Sequence, residues 1–225
     1  METPVKQLRK GDIEWLASHR CKAHRHSYLT HYQCFLSEDP KDSPFRENVA
    51  IFDIETTGLK GDYHYVLSYA LLTEKGQVRG RVLTRDEIRN GIFDRDLMKE
   101  LNHDLRMFHR VVGHYMERFD LPFVRTRAVK YGYDFPLYKS IYVTDTWAIL
   151  KYKFSLASNR LGTACDFFGI KAKTHPLTPA IWHAAGIGDE KALAYIWKHN
   201  VEDVKSTRKL YDRIKPYITR GKRSI

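Results

Sequence analysis

A chain of 225 residues is long enough to bury the core of one domain with an appendage, or of two small domains. Its 43% hydrophobic and 29% charged residues, with modest Gly and Pro, exclude a disordered or low-complexity polymer. The net charge of +11 points to a polyanionic partner, and no apolar run approaches the roughly 18 residues that a membrane span needs, so no membrane partner is expected.

The stretch METPVKQLRKGDIEWL lacks the apolar centre of an export signal. With only three cysteines, an odd number, this leads us to expect a cytoplasmic protein without a disulfide framework. Residues 1–45 form a Cys/His-rich segment in which Cys21, His24, His31 and Cys34 give the spacing C-x2-H-x6-H-x2-C. Tetrahedral Zn2+ takes such ligands in pairs, and His26 could replace His24. So few aliphatic residues would need a staple of that kind to fold. The competing reading is a basic helical arm with two buried thiols. The polar run SEDPKDSPFREN closes the segment as a linker.

A second unit is expected over residues 48–217. The β-branched run from Val49 to Glu55 reads as a buried strand. Strands over 65–73 and 77–84, joined by the turn Glu74-Lys75-Gly76, complete an antiparallel meander. Leu97, Leu101, Leu105 and Phe108 recur at helical spacing. A strand over 111–115 then leads to a helix with Pro122 in its first turn, and a strand over 140–144 ends at Asp145. Helices are expected over 157–168 and 190–217. Strands, then alternating helix and strand, then helices is an α/β order. From Lys205 to Ile225 eight Lys/Arg face one acid, Asp212, so residues 218–225 read as the end of a basic tail.

Asp53 and Glu55 are two apart in a strand, so both carboxylates share one face. Acids at the end of a buried strand are costly unless neutralised, and hard oxygen donors suit Mg2+ or Mn2+. Phe119-Asp120-Leu121-Pro122-Phe123 sets Asp120 in an apolar frame, either as a further ligand or as a helix N-cap. His199 and Asp203 lie four apart on one helix face, where an imidazole and a carboxylate could address one water; the alternative is an ordinary surface pair.

These segments resemble the DEDD-type 3′–5′ exonucleases of the ribonuclease H-like superfamily, and more closely a group reading D-I-E-T-T-G near its start and H-N-x-x-D-V, here at His199 to Val204. The resemblance extends to Lys153–Leu161, Phe167-Phe168-Gly169-Ile170, Lys173-Thr174 and Trp182. It implies an α/β fold with a ribonuclease H-like mixed sheet flanked by helices. It also implies two Mg2+ or Mn2+ ions held by Asp53, Glu55, Asp120 and Asp203, with His199 positioning the attacking water. Asp53 would bridge the ions. Substrate contacts are implied at Thr57, Lys173 and Thr174. Two positions depart from the pattern: the histidine stands at the spacing of the tyrosine subclass, and Tyr115 stands where many relatives carry Asn.

The expected substrate is DNA or RNA. Lys151, Lys153, Arg160 and Lys171 are further phosphate candidates, and Tyr138, Tyr142 and Tyr152 are stacking candidates or simply packing residues. A structure-selective endonuclease with the same acids, a non-catalytic nucleic-acid-binding module, and a metal-independent structural protein in which Asp120 and Asp203 are a cap and a surface pair are the rival readings.

Overall fold

The computed structural model describes residues 10–38, 40, 43, 47–136, 140–171, 176–218 and 223–224. The chain divides into two compact units, Met1–Glu47 and Asn48–Ile225.

In the first unit, helices α1 (Lys10–Ser18) and α2 (Tyr32–Glu38) flank a loop closed by an antiparallel bridge between Arg20 and Ser27. Its buried cluster is Leu16, Cys21, Tyr28 and Cys34, with Trp15 and Phe35 packed on it. Leu16 is the single aliphatic member, and the indole of Trp15 stacks on His19 and on Tyr28.

The second unit is built on β1 (Val49–Thr56), β2 (Val66–Thr73), β3 (Val78–Val82), β4 (Arg110–Gly113) and β5 (Tyr142–Asp145). The first three form the expected antiparallel meander; β4 runs parallel to β1, and β5 parallel to β4. The order is β3-β2-β1-β4-β5, and the two-residue β6 (Arg223–Ser224) pairs antiparallel on β5. Gly80 of β3 has φ +117, and a side chain there would run into the Tyr69 carbonyl of β2.

The helices are α3 (Arg85–Arg89), α4 (Arg95–Leu105), α5 (Asp120–Lys130), α6 (Thr146–Lys153), α7 (Leu161–Phe167), α8 (Pro179–Gly186) and α9 (Glu190–Ile214), the last continued by one 3-10 turn to Tyr217. Both faces of β1 are covered, which is why it reads as a continuous apolar run. Ala50, Phe52 and Ile54 pack with Leu97 and Leu101 of α4 and with Leu121 and Val124 of α5. Ile51, in the opposite phase, packs with Val112 of β4 and Val204 of α9. Fully burying such side chains stabilises the fold by about 1.5–3 kcal/mol each. The two-residue period then turns Asp53 and Glu55 to the Ile51 side of the sheet. Among the described residues no helix is long and apolar enough to cross a membrane.

Four expectations are corrected. The helix expected over 157–168 starts at Leu161, because Arg160 before it is extended (φ −64, ψ 143). In its place α6 begins at Thr146, capped by the Asp145 side chain; its apolar residues are spread around the axis and give no stripe to read. The strand expected to reach Tyr115 stops at Gly113, since Tyr115 has φ +64. Helices α3 and α8 were unforeseen; α3 is set by a capping box between Thr84 and Glu87, and α8 by Pro179 in its first turn.

Candidate active site

β1 outruns its parallel neighbour. Pairing with β4 ends at Ile51↔Val112, so Asp53 to Thr56 project beyond it. A buried amide there needs another acceptor, and the Ile54 N–H donates to Asp120 Oδ1 at 3.1 Å. Asp120 is the first helical residue of α5, after Phe119 as N-cap, so its expected alternative role as the N-cap itself is not the one it takes. On the other side of β1, Glu55 pairs with Ser68 of β2, and the register slips between Glu55 and Thr56.

α9 closes the site. Its buried face carries the neighbours His199 and Asn200 and, one helical turn on, Asp203. His199 Nε2 lies 3.7 Å from Glu55 Oε1 and 3.6 Å from Asp203 Oδ2. One ligand atom from each of Glu55, His199 and Asp203 falls within 4.8 Å of the others, and all three residues are buried. The Asn200 Nδ2 amide donates to Asp53 Oδ2 at 2.6 Å, and Ser68 Oγ donates to Asn200 Oδ1 at 3.3 Å. A relay from β2 through α9 therefore orients the Asp53 carboxylate on β1. A role for Asn200 as the partner of Asp53 is not read from the sequence, where the residue enters only as part of the H-N-x-x-D-V motif.

Burial first, and then the neighbouring Asp53 carboxylate, hold the Asp120 carboxyl well above the usual carboxylate range. Its backbone hydrogen bond to Ile54 opposes this and is outweighed. Acids collected in this way resist ionisation together, and a divalent cation is the neutraliser that hard carboxylate oxygens select. Carboxylate oxygens such as those of Asp53, Glu55, Asp120 and Asp203 are of the kind that suits Mg2+ or Mn2+; among the described residues the structure gathers Glu55 and Asp203 with His199 into one group of candidate ligands, and Asp53 and Asp120 are not part of that group.

Asp145 also acts on Asp120 electrostatically. Its oxygens accept the backbone amides of Tyr115 (2.9 Å), Glu117 (3.1 Å) and Trp147 (2.9 Å), so it clamps the turn after β4 to the start of α6. On that turn Tyr115 meets Trp147 edge-on at 5.1 Å, and Arg118 and Lys151 lie over the same indole at 5.1 and 4.9 Å. Tyr115, Arg118 and Lys151 are exposed. From this group the sequence singles out Lys151 as a phosphate candidate and Tyr115 only as a departure from the family pattern. The Thr57 hydroxyl is engaged with the backbone of Tyr65, closing the loop after β1. Arg110 lies over the Tyr142 ring. Tyr152 is exposed. Tyr138, Lys173 and Thr174 lie outside the described residues.

On the Met1–Glu47 unit, Cys21, His24, His31 and Cys34 each present a ligand atom within 4.8 Å of the other three, so the structure brings together the four residues that the spacing singled out. The third cysteine, Cys165, is buried among Leu150, Ala164, Ile170, Leu210 and Ile214.

Residues 50–215 match the family model of the RNase_H superfamily named RNase_H_2. Among solved structures, the family B DNA polymerase from the hyperthermophilic archaeon Pyrobaculum calidifontis is similar, with a TM-score of 0.58 at 18% identity. The similarity covers 79% of this chain and 26% of the polymerase chain, and at that identity it speaks for the fold alone. No curated protein matches.

Proposed function

The chain belongs to the RNase H superfamily, and from that premise we propose that it is a metal-dependent hydrolase of nucleic-acid phosphodiesters, acting as a 3′–5′ exonuclease of the DEDD type. In this reading the catalytic domain spans residues 48–217, with the basic tail of 218–225 after it. The observation that carries the reading is the convergence of Glu55 from β1 with His199 and Asp203 from α9, beside an Asp53 oriented by Asn200. Asp120, seated against the Ile54 amide of the same strand end, completes the four acids.

Asp53, Glu55, Asp120 and Asp203 would hold two Mg2+ or Mn2+ ions. When bound, these would supply water activation and stabilisation of charge on the leaving oxygen. The chain's own residues do the rest. Asn200 keeps an Asp53 oxygen turned toward the site. His199, between Glu55 and Asp203, would take or position the proton of the attacking water through Nε2. The Tyr115–Trp147 pair, with Arg118 and Lys151 beside it, offers a face for an unpaired base and cations for its phosphate. That group supports single-stranded or frayed ends as substrate.

The test is digestion of end-labelled DNA and RNA, linear and circular, with Mg2+ or Mn2+ and an Asp203→Ala control. Expected is stepwise loss of mononucleotides from the 3′ end of linear strands, abolished in the control. Cutting of circular strands would instead support the endonuclease. Activity that persists in Asp203→Ala would overturn the assignment of the site.

A further inference from the structure

We propose that the Met1–Glu47 unit is a zinc module in which Cys21, His24, His31 and Cys34 form a closed tetrahedral site that holds the unit folded. The geometry is that of ligands waiting around one ion. His24 Nδ1 lies 3.3 Å from Cys34 Sγ, His31 Nδ1 3.3 Å from Cys34 Sγ, and Cys21 Sγ 4.0 Å from His31 Nδ1. Ligands about 2.0–2.3 Å from a tetrahedral zinc lie roughly 3.5 Å from each other, which these separations bracket. Two thiolates with two imidazoles are soft and borderline donors, the set that selects Zn2+ over the hard cations suited to carboxylates.

The local fold is built to present them. The Arg20–Ser27 bridge closes a tight turn in which the Cys21 amide donates to the His26 carbonyl and the Arg25 amide to the Cys21 carbonyl. Arg25 sits in the left-handed region at φ 60, a conformation that a non-glycine residue adopts only where its surroundings impose it. The second pair comes from the start of α2, where the Cys34 amide donates to the His31 carbonyl. Glu38 at the end of α2 fastens the two halves by accepting the Lys22 amide at 3.0 Å and the Tyr28 hydroxyl at 2.8 Å.

The energetics point the same way. Cys21 and Cys34 are buried, and among the described residues they make up half of the unit's buried cluster, in which Leu16 is the aliphatic member. The unit spans Met1–Glu47, and below about 70–80 residues a single apolar core rarely supplies more than about 3–5 kcal/mol, so such units commonly add a metal, a disulfide or a partner. Four protein ligands leave no position open, so the site is structural rather than catalytic. Between the two histidines that spacing left open, the geometry selects His24, with His26 outside the set.

The experiment uses the full chain purified without a polyhistidine tag. Elemental analysis should find about one zinc per chain in wild type, His26→Ala and Asp53→Asn, and less than about a tenth of that in Cys21→Ser and Cys34→Ser. Because a Cys variant that does not fold would also lose zinc, chelator-stripped wild type is titrated with Co2+ as well. The visible bands of a tetrahedral thiolate–imidazole site should appear at one equivalent and be erased by Zn2+. Zinc below about a tenth of an equivalent in wild type together with no such bands overturns the proposal. A Cys21–Cys34 disulfide in the purified protein, or loss of the zinc in Asp53→Asn, overturns it as well.

Discussion

Replacing Asn200 with Ala removes a single amide that touches no reacting atom in the proposed site, so it isolates the orientation of Asp53. The bond lost runs from Asn200 Nδ2 to Asp53 Oδ2 at 2.6 Å, and Asn200 is fully buried. A hydrogen bond to a charged acceptor contributes about 1.5–3 kcal/mol. At about 1.4 kcal/mol per factor of ten, that is roughly a ten- to hundredfold effect, the range found for residues that support metal ligands. The concentration of Mn2+ giving half-maximal exonuclease rate should rise by about that factor, with much of the rate recovered at high Mn2+. Asn200→Asp should be worse, because it sets a second carboxylate against Asp53. The measurement is a rate-against-Mn2+ curve on a labelled strand, with melting curves to show that the variants remain folded. A folded Asn200→Ala with an unchanged Mn2+ midpoint would refute the relay from Ser68 through Asn200 to Asp53.

Two further perturbations address the frame around the site. Asp94 and Arg127 form a buried bidentate pair at 2.6 and 2.9 Å, with side chains 0% and 3% exposed, and Tyr131 and the Val66 amide also donate to Asp94. Asp94→Ala strands the Arg127 charge and should cost about 3–5 kcal/mol, read from urea denaturation; a loss below about 1 kcal/mol would contradict it. Burial pushes the Glu87 carboxyl up, but the Arg81 guanidinium bound to both its oxygens and the hydrogen bonds from Thr84 together pull it below the usual range. Its folded pKa thus lies below the unfolded value of about 4.3, so this stabilisation is complete above that pH and is lost as pH falls through the depressed value. Glu87→Gln should therefore be less stable than wild type at neutral pH, the two converging in acid, as urea midpoints across pH would register.

How much of this was legible in the sequence follows from which contacts are local. Asp53 and Glu55 share a face by the strand period, and His199 and Asp203 by the helix period, so each pair could be read from spacing. The convergence of the two pairs depends on α9 packing against β1 and β2, which no local pattern encodes. Asn200 is the clearest case: its partner is 147 residues away, and an isolated Asn in a helix carries no periodic signal. Tyr115 is intermediate. The family pattern that the sequence resembles would put Asn there, and the left-handed backbone at Tyr115 is a conformation that Asn tolerates better than Tyr. The Cys/His spacing named four ligands with one alternative, and the turn through Arg25 was needed to choose His24.

The acids of the site also imply that function is held against stability. Asp120 is buried beside Asp53, and both its burial and that neighbour oppose its ionisation at the end of β1. Asp120→Asn keeps the shape and the oxygen that accepts the Ile54 amide while removing the cost of ionising a carboxyl there. Without divalent metal this variant should be more stable than wild type by about 0.5–2 kcal/mol, the usual size of relief when a functional strain is removed. Metal should reverse the order. At about a hundredfold excess over its dissociation constant, an ion that binds only the folded chain stabilises by about 2.7 kcal/mol, which wild type should gain and Asp120→Asn should largely forgo. Melting curves with and without Mn2+ for both proteins give all four numbers. If metal-free Asp120→Asn melts below wild type, or wild type gains nothing from Mn2+, then Asp120 is an ordinary buried acid held by its surroundings, and it does not belong to a metal site.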